Sequence, residues 1–357
     1  MADPDLDARA AEAERSVTAL FGARLLGLPG THLARVEHPH RGRADAHWNY
    51  WWQAHYLDCV VDAGLRALRR GEESGAHDRA QRGDRLLGTI RLRNVGRFPN
   101  AFYDDMAWLV LAAGRLSVLH ASLGRVRPGR PLRTSERVLT AQLRSAVTED
   151  LGGGAFWNTH RDFKNVPAGG PIALHLARIG DVEGARSLVD WMYARLLDPA
   201  TGLFLDGVRM VAGEEVVVRD VYTYNQGTVL GALVTLGDPT SRERAASLVG
   251  AVDRGLTTGD HHALLTHGGH DGGLFTGILV RYLTLAAADP ATDVATAATA
   301  RRLVTATADA FWRGRAETPE VTRFPIEVVE PAAPSGRLEL STQLQAWMTL
   351  EAAATLG

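Results

Sequence analysis

The chain has 357 residues, long for one ordinary domain but within reach of a single closed helical architecture spanning residues 1–357. Its apolar fraction of 45% suits a globular core rather than a fibrous or disordered chain. A net charge of −2 argues against a dedicated nucleic-acid binder, which needs a basic excess or stripe. Cys59 is the sole cysteine, so neither an intrachain disulfide nor a cysteine-based zinc site can form, and Lys164 is the sole lysine beside 38 arginines, a bias expected of a GC-rich genome.

The chain opens on an acidic, polar stretch from Met1 to Arg15, without a basic start or an apolar core, and holds no apolar run of membrane-spanning length. As written, it reads as a soluble, cytoplasmic monomer with no membrane span. An extracellular or cell-envelope location stays open for a chain whose leader has been removed. A first helix is predicted near Leu6–Phe21. A longer one runs from about Ala46 to Arg70, with Trp48, Trp51, Trp52, Tyr56, Val60, Val61, Leu65 and Leu68 at helical spacing. Helices follow near Arg79–Arg91, Ala101–Ala121 and Ser135–Thr148, and the run Gly152-Gly153-Gly154 breaks the pattern. The prolines and glycines of Phe163–Pro171 predict a loop, with helices after it near Gly170–Ile179 and Val182–Leu197. Beyond the turn Asp198–Gly202, the β-branched segment Leu203–Val218 predicts a small hairpin. Helices resume near Tyr224–Leu236, Ser241–Gly255, Gly272–Ala287, Ala291–Arg313 and Leu340–Leu356, with a proline-punctuated loop at Pro319–Pro334.

The even-numbered helices share a polar and aromatic start: His47–Trp52; Tyr103-Asp104-Asp105; Phe163-Lys164-Asn165; Tyr222–Gly227; His270–Gly273; and Ser341-Thr342-Gln343. These clusters recur at intervals of roughly 50–70 residues, the range of repeated helix-pair units. The expected fold is therefore all-α, an (α/α)6 barrel with a small β-hairpin. Six inner helices would aim their N-termini, with free N–H groups and positive dipole ends, at one end. Ordinary capping explains Ser, Thr, Asp and Asn at such places but not repeated Trp and Tyr.

Asp104 and Asp105 stand side by side among Phe102, Tyr103 and Trp108, a costly arrangement unless the pair has a task or partners. Cleaving a glycosidic bond takes two acids. One attacks or activates water, and the other protonates the leaving oxygen. Close like charges split their pKa values and so divide those roles. The competing role is two first-turn acids complementing the helix dipole. Trp48, Trp51 and Trp52 suit sugar stacking or core packing. Tyr222, Tyr224, Asn225 and Gln226 suit sugar hydroxyls or a buried helix cap. Lys164-Asn165 could pair with a catalytic carboxylate or support its loop, and Asp271 could bind a sugar or cap its helix. His261, His262, His267 and His270 match no zinc spacing, so no metal and no cofactor is expected.

Together these motifs resemble glycoside hydrolase family 76, the endo-α-1,6-mannanases. The resemblance is carried by Tyr50–His55, Tyr103–Trp108, Gly152-Gly153-Gly154 with Trp157, Lys164-Asn165, Gly202-Leu203 with Asp206-Gly207, Tyr222–Gly227, and Asp271–Phe275 with Gly277, over roughly residues 45–350. It implies hydrolysis of α-1,6-linked mannan or manno-oligosaccharides with retention, Asp104 as nucleophile and Asp105 as acid/base. It also implies substrate contacts from Trp51, Trp52, Tyr103, Lys164, Asn165, Asp206, Tyr224, Asn225, Gln226 and Asp271. Where the family often reads Ala-Asn-Gly-Pro, this chain has Ala168-Gly169-Gly170-Pro171, which bears on fine specificity. Three alternatives stand beside this reading. They are a transglycosylase with the same two acids, a non-catalytic carbohydrate-binding protein, and a terpene-type synthase, which would need further magnesium-binding acids after Asp105 where Met106-Ala107-Trp108-Leu109 stand.

Overall fold

The computed structural model describes residues 5–40, 48–125, 129–259 and 262–357; the predicted helix start at Ala46, His47 and His261 lie outside these described residues. Twelve α-helices are found among them. They are α1 (Leu6–Phe21), α2 (Tyr50–Arg69), α3 (Glu73–Arg93), α4 (Tyr103–Ser122), α5 (Arg130–Ala146) and α6 (Val166–Arg178), then α7 (Val182–Leu196), α8 (Thr223–Leu236), α9 (Pro239–Gly255), α10 (Gly272–Ala288), α11 (Val294–Arg313) and α12 (Leu340–Leu356).

The even helices form a closed inner ring. Each packs on the next from α2 to α12, and α12 returns to α2. The odd helices lie outside: α3 on α2 and α4, α5 on α4, α7 on α6 and α8, α9 on α8, α11 on α10 and α12, and α1 on α12 and α2. This is the expected (α/α)6 barrel. Residue patterning explains the division. Every residue of α12 from Leu340 to Ala354 is buried, as a helix surrounded by others requires, whereas α5 buries only the stripe Leu132, Ser135, Leu139, Leu143 and Ala146. Inner backbones also approach closely: a Cβ on Gly227 would lie 2.9 Å from the Cα of Leu279 on the adjacent inner helix.

Four helices begin well before the sequence pattern predicts: α3 starts at Glu73 rather than near Arg79, and the other three share a cause. α5, α6 and α9 start at Arg130, Val166 and Pro239, and each carries a proline in its first two positions. A proline there interrupts nothing, because the first N–H groups of a helix have no partner inside it. The expected loop Phe163–Pro171 is thus a short strand running straight into α6, whose start is capped by Asn165 accepting from the N–H of Ala168 at 3.1 Å. The expected hairpin is present as Gly207–Val211 and Glu214–Val218, and Phe163–Asn165 adds a third antiparallel strand.

One device recurs at the barrel's cleft end. The fourth residue of α2, α8 and α12 is a glutamine in each case: Gln53, Gln226 and Gln343. Each side-chain amide clamps one backbone residue through both its N–H and its C=O. Gln53 holds Ala34, Gln226 holds Phe204 and Gln343 holds Phe324, all at 2.8–3.0 Å. The clamps tie the extended segment before an inner helix to that helix, and they satisfy buried backbone groups that no sheet would pair.

Candidate active site

First-turn residues of five inner helices line an open cleft of about 480 Å³, among them Trp51, Asp104, Asp105, Asn165, Tyr224 and Asp271. The sixth cluster does not reach it: Ser341, Thr342 and Gln343 of α12 are fully buried.

Asp104 and Asp105 occupy the second and third positions of α4, where free N–H groups and the helix dipole favour negative charge. Asp104 Oδ2 accepts the indole N–H of Trp157 at 2.9 Å, and its Oδ1 accepts the backbone N–H of Asp105 at 2.9 Å. Asp105 Oδ2 accepts from Asn100 Nδ2 at 2.5 Å, and Asn100 is itself fixed by the N–H of Phe102 at 2.9 Å. Burial pushes the Asp104 carboxyl up to about 7, against the lowering pull of Trp157 and the backbone amides. Burial pushes Asp105 well above the usual carboxylate range, and the adjacent charge of Asp104 pushes it further, with Asn100 opposing. The pair therefore ionises in order: Asp104 carries the charge while Asp105 keeps its proton.

Trp157, which the family resemblance carries beside the glycine run without a role, is the donor that meets Asp104. Its only sequence signal is an aromatic residue shortly after the glycine run, and its partner is 53 positions away. Two backbone bonds fix it, from its own N–H to Phe163 O and from the N–H of Tyr103 to its C=O, both 2.8 Å. Phe102 and Phe163 pack on its ring at 5.2 and 6.2 Å.

The other predicted site residues divide. Trp51 lies beside Trp108 and Phe275, each 6.4 Å away, and Tyr224 stacks on Phe275 at 3.8 Å, so one side of the cleft is aromatic. Asp206 also lines the cleft. Burial raises it to about 6, Asn225 Nδ2 donates to it at 3.2 Å, and the amide oxygen of Asn225 is buried without a protein partner. Arg209, not anticipated, reaches the cleft over the ring of Phe163. The capping role considered for Asp271 is not what the structure shows. Its backbone is already helical and its side chain makes no cap bond; Oδ1 instead accepts from Asn49 Nδ2 and the indoles of Trp51 and Trp52 at 3.0–3.2 Å.

Five expected substrate contacts stand outside the cleft lining: Trp52 and Asn225, both buried, and Lys164, Gln226 and Tyr103. The ammonium of Lys164 does not meet a catalytic carboxylate; it is wholly buried and bonded to the Thr148 hydroxyl and the carbonyls of Thr148, Asp150, Gly153 and Gly154. Lys164 holds the loop that delivers Trp157. Gln226 spends its amide on Phe204 and on Tyr222 O. Tyr103 is buried and stands outside the cleft lining. Of the histidines, His267 Nε2 accepts the N–H of Thr223, and His270 Nδ1 lies 3.4 Å from Glu339. Among the described residues no group of three potential metal ligands forms, and no helix is long and apolar enough to cross a membrane.

A ring of helix pairs that converges on two adjacent carboxyls of unequal ionisation, in an aromatic cleft, has the make-up of a carbohydrate-cleaving enzyme. The chain belongs to glycosyl hydrolase family 76, whose sequence model matches residues 29–352. It is similar to the GH76A alpha-1,6-mannanase from Salegentibacter sp. HEL1_6, with 29% identity and a TM-score of 0.84 over 99% of this chain and 100% of that one. An inactive variant of that enzyme, with asparagine at two consecutive aspartates and in complex with alpha-1,6-mannotriose, matches at 28% identity, TM-score 0.84 and the same coverage. Dfg5 from Chaetomium thermophilum, in complex with glucosamine, shares the fold at 15% identity and TM-score 0.75 over 98% of this chain and 90% of that one. No curated protein matches the chain.

Proposed function

We propose that the protein hydrolyses α-1,6-linked mannan or manno-oligosaccharides with retention of configuration. The observation that carries this reading is the unequal setting of the acid pair. Asp104, held by two N–H donors, attacks the anomeric carbon. Asp105, still protonated, gives its proton to the departing glycosidic oxygen as the C–O bond breaks. Asp105, now a carboxylate, then takes a proton from water, and the resulting hydroxyl displaces Asp104 from the glycosyl-enzyme. Asp104-Asp105 is the chain's single Asp-Asp pair, and consecutive aspartates are the positions changed in the inactive, mannotriose-bound variant of the Salegentibacter enzyme.

Asp104→Asn tests the assignment. Turnover of linear α-1,6-mannan should fall by about 10³-fold or more, the scale of losing a group that acts in the bond-breaking step, with circular dichroism unchanged. The first product released by the wild type, followed by NMR, should be the α-anomer; the β-anomer would point to inversion. Near-normal turnover by Asp104→Asn would overturn the assignment.

A further inference from the structure

At the mouth of the ring opposite the cleft, where α6, α10 and α12 end, lies a separate cavity of about 190 Å³ that the mechanism does not use. Five inner helices line it, and three of them bring an arginine: Arg115 from α4, Arg178 from the last turn of α6 and Arg281 from α10. Two of these arginines are spent. Arg115 and Arg281 each pair with both Asp58 and Asp62, Arg281 at 3.2 and 2.7 Å. Two positive and two negative charges thus close on one another and sum to zero. Arg178 is the fifth charge. Among the described residues it makes no ion pair and no hydrogen bond. Asp58 attracts it, while Arg115 and Arg281 repel it.

A last-turn arginine has an ordinary role, since helix carboxyl ends favour positive charge. That role is met at the carbonyls of its own helix and leaves a long, exposed side chain free to turn to water. Arg178 instead borders a cavity beside two other guanidinium groups, a costly place for a charge without an anion between them. The rest of the lining sorts by what it can still donate. Thr284 and Thr355 give their hydroxyl protons to the carbonyls of Val280 and Glu351 at 3.0 and 2.9 Å, so neither is a free donor. The hydroxyl of Tyr282 bonds to no described residue, and Tyr282 is on the lining. Leu285, Met348 and Ala352 supply an apolar wall, and low-dielectric surroundings strengthen any ion pair formed against it. The charge network joins α2, α4 and α10 and leaves out α6, the helix that carries Arg178.

We propose that this mouth is a binding site for a phosphate group, free or carried on a small ester, with Arg178 as its principal partner and Tyr282 as a second donor. A tetrahedral oxyanion there turns the repulsion between Arg178 and its two neighbours into attraction to a shared partner. It also ties α6 to the network that already holds α2, α4 and α10. The site lies at the far end of the ring from the acid pair, so its occupant acts on stability rather than on bond cleavage.

The test is titration calorimetry of the full chain with inorganic phosphate and with glycerol 3-phosphate, at constant ionic strength. One site should appear for at least one of the two, and which of them binds names the source of the group. Arg178→Ala should weaken binding by about tenfold or more, and Tyr282→Phe by about threefold or more, the scales of a charged and a neutral hydrogen bond. Arg209→Ala, which removes the arginine of the cleft, should leave it unchanged. Scanning calorimetry adds a second readout. A saturating ligand should raise the wild-type Tm by about 2 °C or more over chloride at equal ionic strength. Phosphate also stabilises folded chains by exclusion from their surface, so the deciding quantity is the gain in the wild type that Arg178→Ala lacks. Absence of binding by both ligands overturns the site. So does binding lost in Arg209→Ala, or affinity unchanged in Arg178→Ala, or unchanged in Tyr282→Phe where Arg178→Ala fails to fold.

Discussion

At Asp104 two N–H donors oppose the cost of burying a charge, while at Asp105 one side-chain amide does so and the neighbour's charge adds to the cost. The proposed mechanism needs Asp104 ionised and Asp105 protonated, so on it kcat/KM should follow a bell whose acid limb lies near 7 and whose alkaline limb lies above it. Trp157→Phe keeps a ring but removes the donor that favours the Asp104 carboxylate. The acid limb should move up by about one unit, and kcat/KM at pH 6 should fall about tenfold, as a pH profile would measure. A stability effect follows from the same shift. The native pKa of Asp104 lies above the unfolded value of about 3.9, so its favourable contribution is complete below that value and is lost as pH rises through about 7. Asp104→Asn cannot ionise. Its Tm should match the wild type near pH 4 and exceed it by at least ~2 °C at pH 8, read by scanning calorimetry. The acid pair itself was legible in the sequence, because adjacency and aromatic flanks are local. Trp157 was legible only as a motif residue beside the glycine run; its bond to Asp104 was not, because a donor 53 residues away leaves no periodic trace.

Elements were legible where side-chain period decides them and obscure where a single residue has two uses. A proline reads as a break, yet Pro131, Pro167 and Pro239 all sit in the first turn of a helix, where the missing N–H costs nothing. A glutamine in a polar cluster reads as a sugar contact, yet Gln53, Gln226 and Gln343 all clamp backbone. Gln226→Ala should cost about 2–4 kcal/mol in denaturant unfolding, since it leaves the N–H and C=O of Phe204 buried without their partner. Turnover per folded molecule should hold, which a role in gripping substrate would not allow. Lys164 shows the same duality: an ammonium suits a carboxylate in principle, and here it suits the converging carbonyls of the 148–154 loop. Gly154 completes that loop, with φ of +81° and Trp191 so close that a Cβ would meet the ring at 2.5 Å.

Across the whole molecule, charge is placed at both ends of the inner ring. Far along α2 from its cleft end, Asp58 and Asp62 face Arg115 of α4 and Arg281 of α10. Burial alone would raise Asp58, but Arg115 and Arg281 hold it down to about 2. Its contribution is present above the unfolded value of about 3.9 and is lost as pH falls through about 2. Arg281→Ala should cost about 3–5 kcal/mol at neutral pH by leaving two buried carboxylates on one arginine. Its acid unfolding should begin at a higher pH than the wild type's, as a denaturation series between pH 2 and 6 would show. The sequence by itself determined the alternation of helices, those apolar all round against those with one apolar stripe, and the polar and aromatic starts of the inner ones. Those features are written at spacings of three and four residues, so each helix carries its own record. Only the tertiary structure decided which helix-start residues face the cleft and which turn to the backbone. That choice rests on hydrogen bonds closed across the ring, such as the three donors that reach Asp271 from 219 to 222 residues away. A helical period carries no information about a partner brought near only when the ring closes.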